Sequence, residues 1–224
     1  MQLPKLESHY SNLVLFGAYA TARLRRARHE DWAVELWART AAVRAAGRGV
    51  EDARIEVVMA RADRDATDDD MDDLAKNGRR DLGGRSNNAM KEAPYTQVFH
   101  QGIEHVTLAP LDAQEQRYTD LAERYTKYLP PDDALIADAQ KIVDALVAWR
   151  AVKAAVAAKQ NLKGQADSDY EAAVEAWATT LERVYGRLID AHKKRGAERF
   201  FPRVRGAGGD DGGNADGGSA PPTP

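Results

Sequence analysis

Apolar residues recur every three or four positions along most of this 224-residue chain. That is the period of an α-helix, so the spacing predicts helices rather than strands. The cleanest stripe is Tyr170, Val174, Trp177, Leu181, Val184, Leu188 and Ala191. It opens on Ser168-x-x-Glu171, a capping-box pattern that satisfies orphan backbone N–H groups of a first turn. It closes on His192, Lys193, Lys194 and Arg195, cations that complement a helix C-terminus. Before it, Leu135, Ala139, Ile142, Leu146, Trp149, Val152 and Val156 form another face, which Gly164 is expected to end. Further upstream, Leu111, Tyr118, Leu121, Tyr125 and Tyr128 mark a helix opened by Asp112 with Glu115 and stopped by Pro130-Pro131. Pro131, Asp132 and Asp133 suit the first turn of the next helix.

The N-terminal half reads the same way. One helical segment runs from Leu6 through Tyr10, Leu13, Phe16, Ala20 and Leu24, bends near His29-Glu30-Asp31, and continues through Trp32, Leu36, Val43 and Ala46. Gly47 and Gly49 are expected to end it. A heptad seam follows at Val50, Ala53, Val57, Ala60, Arg64, Thr67, Met71 and Leu74, and its small residues would let a neighbouring helix approach closely. Residues 77–108 have no such period. NGRRDLGGRSNNAMKEAP reads as loop, and YTQVFHQGIEHVTL as a short strand pair or an irregular segment packed on a bundle end. A connection of that length in a globular domain is usually functional or disordered.

Composition agrees with the spacing. The chain holds 40 Ala and only 7% aromatics, a mixture that favours helices and disfavours a β-sandwich. The expected fold is all-α: an antiparallel bundle of four to five long helices, with a long irregular connection at about 77–108. Antiparallel packing is expected because the connections near 47–49, 129–131 and 162–167 are short. Residues 1–205 are expected to form a single helical-bundle domain. Residues 206–224, GAGGDDGGNADGGSAPPTP, cannot bury a core and are expected to be a disordered tail.

Charge and cysteine content narrow the chemistry. There is no Cys, which excludes disulfide frameworks, Cys-ligated zinc, Fe–S clusters and thiol catalysis. The net charge of −3 is a cancellation between Arg-rich residues 1–50, the acidic run DRDATDDDMDD that ends at residue 73, and a basic stretch at 191–205. No single-signed field implies bulk attraction to nucleic acid. The excess of Arg over Lys, with so much Ala, suits a GC-rich bacterial genome. The apolar stretch from Leu13 to Ala22 is about half the ~20 residues of a spanning helix. LVLFGAYA resembles a signal-peptide core, but Lys5 is offset by Glu7 and the helical spacing continues beyond the cleavage-like Ala18-Tyr19-Ala20. A cytoplasmic location without a membrane span is therefore expected.

Each chemistry that a helical bundle can host needs its own residue spacing. A di-iron carboxylate bundle requires Glu-x-x-His twice, and no carboxylate stands three residues before any of the five His. His100, Glu104 and His105 form the densest set of metal ligands. A helical zinc site wants His at i and i+4, whereas these stand five apart with Gly102 between them. The acidic run lacks the Gly and Glu of a calcium loop, since Asp68 and Leu74 hold those places. In GRRDLGGRS, Gly84 occupies the Lys position of a phosphate-binding loop, which leaves Arg79, Arg80 and Arg85 as possible anion or partner contacts. Ser86 lacks the second Gly of a nucleophile elbow. In HKKRGAERFFPRVR, Lys193, Lys194, Arg195, Arg199, Arg203 and Arg205 are interleaved with Phe200 and Phe201. That pattern grips phosphates and stacks bases, or else caps a helix and plugs the end of a bundle. The Tyr stripe on the third helix is expected at the core rim, and Trp32, Trp37, Trp149 and Trp177 are expected as core anchors.

The expected function is a non-enzymatic interaction or structural component with no cofactor. Its partner is a protein or a second copy of the chain, because the Ala-rich faces of the first and fourth helices are expected to stay partly uncovered. Two alternatives stand beside it: a nucleic-acid-associated regulator using 192–205, and a metal-binding protein or enzyme centred on His100, Glu104 and His105.

Overall fold

Two very long helices carry most of the chain. In the computed structural model, which describes residues 5–6 and 9–202, α1 spans Tyr10–Arg26, α2 spans Glu30–Gly83, α5 spans Gln114–Tyr128 and α6 spans Ile136–Ala197. Two single-turn helices lie between them, α3 (Tyr95–Val98) and α4 (Glu104–Thr107). Short 3-10 turns stand at Ala89–Lys91 and Glu198–Phe200. The fold is all-α, with no strand among the described residues. None of its helices is long and apolar enough to cross a membrane among those residues. Arg203, Arg205 and the 206–224 stretch lie outside the described residues.

Several expected boundaries are corrected. Gly47 and Gly49 do not end a helix, because α2 runs through both for 54 residues. Gly164 and Ser168 likewise lie inside the 62-residue α6, so the expected capping box is not a cap: Ser168 Oγ donates to Gly164 O at 3.2 Å. The physical reason is scale. A Gly costs about 1 kcal/mol against Ala inside a helix, too little to stop one whose apolar stripe continues on both sides. Gly47 also has a use: a Cβ there would lie 2.4 Å from Tyr10 Cγ, so its bare backbone seats the Tyr10 ring. The break near residue 29 is real. Arg28 takes φ 64°, and His29 N donates to Leu24 O at 3.0 Å, a left-handed C-terminal cap that lets α1 end. The end of α6 is also broken, at Lys193, with φ 61° and ψ 166°.

By their contacts the described residues divide into two compact units: those up to Gly47 with those from Tyr170 onward, and residues 48–169. In the first unit, α1 and the start of α2 pack with the end of α6. Their core is Leu13, Phe16, Leu24, Leu36, Val43, Trp177, Leu181, Val184 and Leu188, closed by Phe200 and Phe201. Arg183 and Arg187 both donate to Glu35, the latter at 3.1 Å, tying α6 to α2.

The second unit has a topology that short-connection reasoning did not anticipate. Gln114 Nε2 donates to Asp68 Oδ1 at 2.8 Å, Tyr118 OH donates to Asp72 Oδ1 at 2.5 Å, and the Tyr125 hydroxyl lies against Gly78. These partners advance together along both helices, so α5 runs parallel to α2. α6 is antiparallel to both, with Arg150 Nε on Glu115 at 2.8 Å and Lys159 Nζ on Glu56 at 2.8 Å. Parallel neighbours require the chain to travel back along the whole packed length, as in bundles with long crossovers. That accounts for the long connection. Of the two alternatives expected for YTQVFHQGIEHVTL, no strand pair forms among the described residues: the helix continues to Gly83, and α3, α4 and their loop then pack Tyr95, Val98, Phe99, Ile103 and Val106 into the core beside Tyr118, Leu121, Tyr125, Ile142 and Trp149.

Candidate functional site

With only α2, α5 and α6 as long helices, the second unit leaves one side of its bundle open. An elongated groove of about 720 Å³ runs between α5 and the start of α6. Its floor is made of the buried Ala122, Ala139 and Leu146, with Val143 and Ile136 along the wall. Small residues at Ala122 and Ala139 set the depth, because their side chains stop at Cβ. Its rim is acidic. Asp133 is taken by Arg85 in two bonds of 2.6 Å, and also accepts from Leu135 N at 3.0 Å. The Arg85 hydrogen bond holds the Asp133 carboxyl below the usual carboxylate range. Glu123 and Asp132 project from the rim without an ion-pair partner among the described residues. From the groove, an uncharged exposed stripe continues along α6 through Val147, Ala151, Ala154, Ala158 and Leu162.

A second feature of this unit lies where α3, α4 and their loop cover α5. Arg117 Nη1 contacts His105 Nε2, and Arg124 Nη1 contacts His100 Nδ1. The two imidazole centroids are 6.4 Å apart. This arrangement argues against the metal centre considered for His100, Glu104 and His105. One nitrogen of each imidazole faces a guanidinium, so a metal cation between the rings would lie beside two permanent positive charges. No group of three His, Asp or Glu is arranged to hold a metal among the described residues.

The remaining sequence candidates separate. Phe200 and Phe201 are buried: Phe201 stacks on Phe16 with centroids 6.0 Å apart and meets Tyr185 edge-on at 5.7 Å. That burial removes the base-stacking role read from the sequence for these two rings. Lys193, Lys194, Arg195 and Arg199 are exposed. Beside them His29 and His192 meet Nε2 to Nε2 at 2.7 Å, and His29 stacks on Trp32 with centroids 4.3 Å apart. Burial first, and then the His192 charge, lower the His29 pKa from its usual value. Arg79 donates to Tyr95 OH at 3.1 Å, and Arg80 lies 3.5 Å from Asp81, so neither joins Arg85 in one anion site. Trp37 is 39% exposed rather than a core anchor, whereas Trp149 and Trp177 are fully buried.

Both features of the second unit escaped sequence reading, although each left a signal. Thr119, Ala122, Glu123 and Thr126 repeat at i, i+3, i+4 and i+7 on α5, a face too small to fill a bundle. Arg117 and Arg124 stand seven apart, two turns along one face. Comparison with protein-family models, curated proteins and solved structures finds no match.

Proposed function

We propose that this chain is a non-catalytic interaction protein whose α5–α6 groove receives one helix of a partner protein, completing a four-helix bundle. The observation that carries the reading is the groove itself: a largely apolar hollow of about 720 Å³ on a three-helix unit, lined by Ala122, Ala139 and Leu146, with the carboxylates of Glu123 and Asp132 uncommitted. Contiguous exposed apolar surface rimmed by polar groups is a feature of interaction sites. Helix-in-groove recognition uses anchors at i, i+3, i+4 and i+7. Glu123 and Asp132 specify the occupant's chemistry, an amphipathic helix with Lys or Arg flanking its apolar stripe.

A labelled Leu/Lys amphipathic helix and its Leu/Glu counterpart provide the test by fluorescence anisotropy. The Leu/Lys helix is expected to bind saturably, the Leu/Glu helix not, and Glu123→Lys with Asp132→Lys is expected to weaken binding at least ten-fold. Equal binding by the double variant would overturn the reading. So would a dimer in light scattering that Leu162→Glu dissolves, because the stripe on α6 would then belong to a second copy.

A further inference from the structure

We propose that the mouth of the hollow ringed by His100, His105, Arg117 and Arg124 is a binding site for a phosphate dianion, free or as a monoester. The site is built on fixed elements. Arg117 and Arg124 project from one face of α5, with Leu121 buried between them. His100 and His105 flank a loop whose neighbours Phe99, Ile103 and Val106 are buried in the core, and the Phe99 ring meets Tyr125 edge-on with centroids 6.2 Å apart. Gly102, at φ 81°, makes the reversal that turns both imidazoles toward α5. A side chain there would be strained in that conformation.

The donor inventory points to an anion. Each guanidinium carries five N–H groups in a planar fork, and here each is spent on a single imidazole nitrogen. Neither Arg117 nor Arg124 enters an ion pair among the described residues. The acid that lines the hollow, Asp120, accepts instead from Gln116 Nε2 at 2.6 Å. Two unpaired guanidinium forks on one face match the paired oxygens of a phosphate, the geometry in which Arg surpasses Lys. The hollow itself, about 10 Å³, has room for little more than one water. The anion therefore sits at its mouth, where the two guanidiniums swing from imidazole to phosphate oxygen. Asp120 also lines the hollow. Its carboxylate opposes any anion there, so binding requires both guanidinium forks at once, which a compact dianion can engage and an extended polyanion cannot.

Isothermal titration of the full chain with inorganic phosphate, and separately with phenyl phosphate, tests this. One saturable site is expected, with no response to sodium chloride or acetate at the same ionic strength. Tighter phenyl phosphate would identify a monoester as the source, and tighter inorganic phosphate the free ion. Arg117→Gln with Arg124→Gln should weaken binding by at least about ten-fold. Helical circular dichroism should be unchanged, since both side chains lie at the surface of α5. Lys193→Gln with Lys194→Gln, on the other unit, should leave affinity unaltered. The proposal fails if no saturable binding is seen up to about 10 mM, if the double Arg variant binds as well as the unaltered chain, or if the Lys variant loses affinity to the same extent.

Discussion

In the first unit, Trp177 Nε1 donates to Thr40 Oγ1 at 3.1 Å, and Thr40 Oγ1 donates onward to Leu36 O at 2.9 Å. In the second, Trp149 and Tyr125 are as deeply buried, yet Trp149 Nε1 and the Tyr125 hydroxyl have no partner. Gln114 Oε1 is a third orphan in that unit, whereas Thr21 Oγ1 is the one orphan described in the first. A buried polar atom left without a partner costs about 1–3 kcal/mol. The first unit thus uses its buried Trp177 to tie α6 to α2, and the second leaves the polar atoms of Trp149 and Tyr125 as a burden offset by apolar packing. The parallel run of α5 beside α2 goes with this difference. Tyr118 and Gln114 reach Asp72 and Asp68 across that interface, but Tyr125, farther along, reaches only the bare backbone of Gly78.

Glycine substitutions break the comparison most directly. A Cβ at Gly17 would lie 2.2 Å from Thr40 Oγ1, and one at Gly78 would lie 1.9 Å from the Tyr125 hydroxyl. Ala normally stabilises a helix interior by about 1 kcal/mol over Gly. Overpacking of this kind costs about 1–3 kcal/mol, so Gly17→Ala and Gly78→Ala should both lower the thermal melting point. The rescues should differ. Tyr125→Phe removes an orphan oxygen and the closest clash, leaving ring Cζ 3.0 Å from the new Cβ, so Gly78→Ala with Tyr125→Phe should recover most of the lost stability. Thr40→Ala removes the Thr40 contacts at Gly17 but strands Trp177 Nε1, which stays 3.0 Å from the new Cβ, so its double variant should remain destabilised. Equal rescue in both units would remove the distinction between them.

Smaller effects should follow from replacing each buried Trp by Phe. Trp177→Phe loses a satisfied hydrogen bond as well as volume, and Trp149→Phe loses volume but also an orphan donor. Trp177→Phe should therefore be the costlier by about 1 kcal/mol, as read from urea-unfolding midpoints with the m-value unchanged. If Trp149→Phe proves the costlier, Trp149 Nε1 has a partner in solution, a buried water being the natural one.

Much of this was legible from the period of the apolar residues. Met71, Leu121, Tyr125, Leu146, Trp149, Trp177 and Leu181 fall where the stripes put them, because burial against a neighbouring helix is what a repeating stripe records. Chain direction was not legible. Gly47, Gly49 and Gly164 looked like turns because Gly is common at helix ends, yet nothing in their local chemistry reveals that the apolar stripe outweighs a cost of about 1 kcal/mol. Nor could residues 84–113 be read as a crossover until α2 and α5 were known to be parallel. The groove and the Arg–His cluster were hidden for a related reason. Each depends on side chains from different elements: Ala122 opposite Ala139, Arg117 opposite His105 and Arg124 opposite His100.

Acidification should separate the units by sign, with the smallest amplitude. His29 in the first unit has a pKa below the usual imidazole value of about 6.5, through burial first and then the charge of His192, with Trp32 and Phe200 covering the ring and the Arg25–Glu30 pair at 3.5 Å nearby. A lowered folded value means that its contribution is present above about pH 6.5 and is lost as pH falls through that folded value. Asp68 in the second unit has a raised pKa. Burial is the largest cause, the Gln114 hydrogen bond opposes it, and the charges of Asp72, Asp69 and Asp65 add to it. Its ionised form costs stability at neutral pH, and that cost disappears as pH falls through the raised value. Trp149→Phe leaves every Trp in the first unit, so its fluorescence melt reports that unit alone. Below about pH 6.5 this melt should shift to lower temperature, and His29→Gln should flatten the shift. Asp68→Asn should raise the melting point of the full chain at pH 7, with the gain shrinking toward pH 4. A gain that persisted undiminished at pH 4 would mean that the carboxyl of Asp68 is not the group being relieved, and the contrast in sign between the two units would then rest on His29 alone.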